Sequence, residues 1–170
     1  MYFILKKIIM KETHNFSFEV YESINELNAE DTALLTQARQ IAEQAYAPYS
    51  NFFVGAAALM DNGAIVTGTN QENASYPVTL CAERALMATA ASIHPNIGIQ
   101  TMAISYHNHN ANTNSHQPIS PCGMCRQSLL EFETRYHSIR LILSGLSGKV
   151  YIIQQANQLL PLSFKGDNLK

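Results

Sequence analysis

Three cysteines narrow what this chain can fold into more than any other feature. Cys81 lies in TLCAERA, and Cys122 and Cys125 lie in PCGMC. An odd number of thiols without an export signal does not make a disulfide framework. It reads as reduced thiols in a cytoplasmic protein, two of them at the C-x-x-C spacing used for metal or redox chemistry. Both sites fall where helices should begin: TLCAERALMATAAS is rich in helix formers, and PCGMCRQSLLEFETRY opens on proline and continues as a helix. Exposed N–H groups and the helix dipole favour a thiolate there. A fold that brings two helix N-termini face to face would gather three thiolates around one ion.

Three protein ligands with a fourth position open is the pattern of a catalytic zinc, and thiolate softness favours zinc over magnesium or calcium. Two other readings compete. A structural zinc could be closed by a fourth ligand from His107, His109 or His116, just upstream of Cys122. The C-x-x-C pair could be a redox couple. Glu83 tips the balance, because a carboxylate in the first turn of the Cys81 helix can move protons to and from a water that a metal has acidified. Alone, Glu83 would read as a glutamate favoured by the helix dipole. Arg84 follows it, and a guanidinium donating to sulfur would relieve the negative charge of three thiolates; otherwise it is a surface arginine, as Arg126 after Cys125 would be.

The rest of the chain supplies a frame. NAEDTALLTQARQIAEQAY predicts an amphipathic helix with Leu34, Ala38, Ile41 and Ala45 on one face, a capping box from Asn28 to Asp31, and a stop at Pro48. FFVGAAALM and AIVTGTN flank the turn Asp61–Gly63 as a hairpin. TMAISY, IRLILSG and KVYIIQ read as strands, and residues 107–118 as a polar loop. The order α-β-β-α-β-α-β-β predicts an α/β fold, one mixed sheet of about five strands with helices packed on it. At 170 residues the chain suits one domain. With 46% hydrophobic and only 14% charged residues it can fill a core, and part of its surface is expected to be buried against other subunits. A net charge of −2 offers no footprint for nucleic acid, and no apolar run reaches the roughly 20 residues of a membrane span. MYFILKKIIMKE is split by Lys6 and Lys7 and lacks a cleavage site. It reads as an extension or a first strand, with Met10 as an alternative start, so residues 1–20 are set apart from a domain at 21–170.

CAE followed by PCGMC resembles the zinc deaminase signature. With AYAPYSNFFVGAA, TGTNQENASYP, ISPCGMCRQSLLEF and LLPLSF in this order, the chain from about Ala45 to Phe164 is similar to cytidine deaminases of the small, homotetrameric, three-cysteine type. The resemblance implies a three-layer α/β/α fold and one zinc per subunit on Cys81, Cys122 and Cys125. It implies Glu83 as proton shuttle and hydrolytic deamination of cytidine and 2′-deoxycytidine in pyrimidine salvage. Asn70 and Glu72 should hold the ribose 3′-hydroxyl, Phe52 should line the base pocket, and the Ala82 backbone should contact the pyrimidine carbonyl. Phe164 and Tyr76 match positions that reach a neighbouring subunit's site; without the resemblance, all three aromatics would read as core packing. The long extension, the Asn- and His-rich loop, Phe53 and Pro77 depart from the pattern, and Phe53 is expected to bear on pocket shape. Deamination of another aminopyrimidine, as by blasticidin deaminase, runs against NQEN. A nucleic-acid module on the same fold runs against the charge, and a non-enzymatic zinc scaffold against Glu83.

Overall fold

In the computed structural model, which describes residues 10–110 and 115–170, the alternating pattern of the strands sets the architecture. Among the described residues there are six strands: β1 (Glu19–Tyr21), β2 (Phe52–Met60), β3 (Ile65–Thr69), β4 (Ile99–Asn108), β5 (Arg140–Ser144) and β6 (Val150–Ile153). They form one sheet in the order β1-β6-β5-β4-β2-β3. Among these six strands only β4 and β5 pair in parallel. A parallel neighbour needs a long crossover, and helix α3 (Gly123–Arg135) provides it.

FFVGAAALM is almost continuously apolar because both faces of β2 are covered. Ala57, Ala103, Ile142 and Val150 pack against Leu34, Leu35 and Ala38 of α1 (Ala29–Ala42) on one face. Ala56, Ala58, Met102, Ile104, Leu141 and Leu143 pack on the other face, against Leu86, Met87 and Ala90 of α2 (Ala82–Ile93) and Leu129 and Phe132 of α3. The result is the expected three-layer α/β/α arrangement. Gly63 in the β2–β3 turn has φ +80°, a conformation suited to glycine.

The structure differs from the sequence expectation at several points. The sheet has six strands, because Glu19–Tyr21 pairs antiparallel with β6 and so straddles the boundary drawn at residue 20. Residues 1–9 of the expected extension lie outside the described residues, as do 111–114 of the Asn- and His-rich loop. That loop begins later than expected, since His107 and Asn108 still pair with Phe53 and Phe52. Asn28 caps α1 by accepting the Asp31 N–H, but Asp31 returns to the Asn28 side chain rather than to its backbone. The helix ends at Ala42, short of Pro48. The chain there turns away to hydrogen-bond the segment just after β3, through Tyr46 N–H to Asn70 O and Glu72 N–H to Tyr46 O. The buried face of α1 is accordingly Leu34, Leu35, Ala38 and Ala42, with Ile41 and Ala45 only half-buried.

Gly68 governs how α2 sits. A Cβ there would lie 2.5 Å from Leu86 N and 2.6 Å from Ala82 O, both backbone atoms that cannot rotate aside. Gly68→Ala must therefore push the first turns of α2 off the sheet, an overpacking expected to cost about 1–3 kcal/mol. The shift acts on Cys81, Ala82 and Glu83, so bound metal should fall along with the denaturation midpoint. An unchanged midpoint and metal content would show that α2 has slack at this contact.

Candidate active site

One end of the sheet gathers the start of β2, the ends of β3 and β4, and the first turns of α2 and α3. Cys81 is the N-cap residue of α2 and Cys122 that of α3, both in extended backbone conformation, and Cys125 lies buried in the first turn of α3. The two helix N-termini do converge. Cys81 Sγ is 3.7 Å from Cys122 Sγ, which is 3.4 Å from Cys125 Sγ, and all three sulfurs lie within 4.8 Å of one another. None is in a disulfide. Hydrogen bonding from Cys125 holds the Cys81 thiol down to about 6. The same bond, with burial, pushes Cys125 up. A thiol binds metal as thiolate, so an ion at this cluster would favour the ionised form of its ligands. The donor set therefore fits a soft, thiolate-binding metal such as zinc.

No histidine joins this cluster among the described residues. His107 and His109 pack against each other at a tilt, centroids 4.0 Å apart, with His109 edge-on to Phe53, and His116 contacts Ser147. A fourth ligand from these three residues is not brought to the sulfurs.

A cavity of about 460 Å³ opens beside the thiols, with Cys81, Cys122, Ala82, Glu83, Phe52, Asn70 and Glu72 among the residues in its wall. Glu83 is only 5% exposed, and burial pushes its carboxyl up from the ordinary range. Asn70 is pinned to β2: its side chain accepts from Val54 N–H at 2.7 Å and donates to Phe52 O at 2.9 Å. Each group of the amide keeps one further bonding position. Glu72 accepts from the N–H groups of Tyr49 and Ser50 at 2.9 and 3.3 Å. Burial works to raise its pKa, but hydrogen bonds from the Ser50 hydroxyl and those two N–H groups outweigh it, holding the carboxyl below its usual range. Phe52 stacks on Tyr106 with centroids 4.8 Å apart. Phe53, expected to bear on the pocket, is not in the cavity wall: alternation along β2 turns it to the face where Gly55 meets α1, and it packs on His109 instead.

Three expected residues lie away from this cavity. Tyr76 is 71% exposed and packs edge-on against Tyr49, beyond Glu72. Phe164 is 58% exposed, with its carbonyl accepting from Gln127. Arg84 lines a groove between α2 and α3 and makes no hydrogen bond to a cysteine sulfur among the described residues. Sequence reasoning also passed over contributors. Ile119 and Ser120 form part of the cavity wall, and nothing in ISPC marks them beyond their place next to Cys122. Arg126, read as a surface arginine, donates to Pro121 O, Leu159 O and the Ser120 hydroxyl at 2.8, 2.9 and 3.1 Å. It ties the turn that presents Cys122 to the C-terminal segment.

Residues 28–139 match the family described as the cytidine and deoxycytidylate deaminase zinc-binding region. The chain is 47% identical to the cytidine deaminase of Mycobacterium tuberculosis over 95 residues, 55% of this chain and 65% of that protein's length. It is 35% identical to the cytidine deaminase of Halalkalibacterium halodurans over 136 residues, 80% of this chain and 95% of the relative. Among solved structures, cytidine deaminase from Burkholderia pseudomallei superposes with a TM-score of 0.68 at 35% identity, covering 81% of this chain and all of the other.

Proposed function

The chain belongs to the cytidine deaminase family, and from that premise we propose that it hydrolyses cytidine and 2′-deoxycytidine to uridine and 2′-deoxyuridine with release of ammonia, as in pyrimidine salvage. The observation that carries this reading is the single cavity onto which Cys81, Cys122, Glu83, Phe52, Asn70 and Glu72 all open. Cys81, Cys122 and Cys125 would hold one zinc ion per chain. When bound, zinc at such a site brings the pKa of water toward neutrality.

The chain's own residues supply the rest. Glu83, shielded from solvent, accepts a proton from the attacking water, delivers one to N3 of the pyrimidine and then carries a proton to the departing amino group. Phe52, braced on Tyr106, offers a flat face to the base. Ala82 is in the cavity wall, and its backbone is read as the contact for the pyrimidine carbonyl. Asn70 and Glu72, fixed by their bonds to β2 and to Tyr49 and Ser50, present an amide and a carboxylate to the sugar hydroxyls. The exposed rings of Tyr76 and Phe164 are read as contributions to neighbouring sites in a homotetramer, and the free thiols favour a reducing, cytoplasmic setting. No helix among the described residues is long and apolar enough to cross a membrane.

An absorbance assay on cytidine, deoxycytidine, CMP and adenosine tests the reading. Both nucleosides of cytosine should be turned over. CMP should be at least about tenfold poorer, because a charged Glu72 near the sugar repels phosphate. Equal rates on CMP and cytidine would overturn the nucleoside assignment, and absence of turnover on all cytosine substrates the deaminase reading.

A further inference from the structure

The segment before β1 lies outside residues 28–139, yet it reaches the active-site wall. Phe16 and Phe18 stack at 5.6 Å, and Phe18 packs on Tyr151 of β6 at 4.9 Å. Pairing of β1 with β6 fixes the register of this arm, and a bond from the Gln154 side chain to Glu19 clamps its exit. The two rings border a small apolar cavity of about 200 Å³ whose other side includes Pro118, Ile119 and Ser120. Ile119 and Ser120 also line the 460 Å³ cavity beside the thiols. They are thus a thin partition, with the candidate active site on one side and the arm on the other.

That partition comes from a loop, and a loop holds its place only as well as what backs it. Toward Cys122 it is tied by Arg126 to Pro121 and Ser120. On its outer side lies the 200 Å³ apolar cavity, and the arm's aromatic rings wall the far side of it. We infer that Phe16 and Phe18 are positioning residues: by walling the cavity behind Ile119 and Ser120 they limit how far this loop can withdraw, and so set the width of the pocket that receives the base. They touch neither the sulfurs nor Glu83, so their effect should fall on substrate binding rather than on the metal or the proton transfers.

The kinetic part of the test rests on the deaminase reading; the exchange part does not. In the full chain with its metal bound, the double variant Phe16→Ala/Phe18→Ala should raise amide hydrogen exchange at Ile119 and Ser120. It should raise KM for cytidine about three- to tenfold, within what misplacing a pocket wall costs, with kcat within about twofold and metal content unchanged. Phe18→Leu, which restores apolar bulk, should recover most of the KM. Unchanged exchange at 119–120 overturns the brace whether or not the protein deaminates cytidine. Raised exchange with unchanged KM, or loss of metal in step with KM, overturns the positioning role. If the unaltered protein turns over no cytosine nucleoside, the deaminase reading fails and the exchange result alone decides the brace.

Discussion

Glu83→Gln is expected to cut cytidine turnover by about 10²–10⁴-fold, the usual worth of a positioned acid–base group. The amide has the shape of the carboxyl but neither accepts nor releases a proton near neutral pH. Glu83 is buried in the cavity wall, one residue from Ala82 and two from Cys81, while the other carboxylate of that wall, Glu72, is held by the Tyr49 and Ser50 N–H groups. The variant should fold and keep its metal. Burial already disfavours the charged form of Glu83, and glutamine removes that strain without leaving a hole. A glutamate present only to complement the helix dipole predicts the reverse: activity kept, with a stability change of about 0.3–1 kcal/mol. Steady-state rates with metal analysis and a denaturation curve on the same sample separate the two. Near-normal turnover would take Glu83 out of the chemistry.

The site was legible where local chemistry and helix geometry coincide. Cys81 and Cys122 mark helix starts in sequence because proline and helix-favouring residues follow or precede them, and the structure uses both as N-caps. Phe53 is the counter-example: it is expected from sequence to bear on pocket shape, but strand alternation keeps Phe52 in the cavity wall, stacked on Tyr106, and turns Phe53 to the opposite face. What stayed hidden depends on contacts distant in the chain. A three-residue strand such as Glu19–Tyr21 is too short to show a period, and only its partner β6 defines it. Arg126 reads as surface charge because its acceptor Leu159 O lies 33 residues away. Ile119 and Ser120 become wall residues only once the loop before α3 is folded against β5 and β6. Tyr76 and Phe164 were assigned by resemblance alone, and within one chain neither meets the cavity.

Removing a thiol should be as damaging as removing the carboxylate, by a different route. Cys125→Ala and Cys122→Ala are each expected to bring metal content from about one ion per chain to near zero and to abolish turnover with it. Changes to groups that merely hydrogen-bond a ligand cost about 10–100-fold in metal affinity, and losing one of three direct ligands should exceed that. The two variants should differ in stability. Cys125 is fully buried at the base of the cluster, so its alanine variant leaves a void among packed residues. Cys122 is exposed at the N-cap of α3 and lines the cavity, so its variant loses the ion with little loss of packing. In the absence of metal the Cys122→Ala protein should therefore unfold close to the metal-free parent, and Cys125→Ala well below it. Elemental analysis and metal-free denaturation curves measure both effects. Full metal retention in Cys122→Ala would remove that residue from the ligand set. Equal losses of metal-free stability would place Cys125 outside the packed layer that the structure assigns to it.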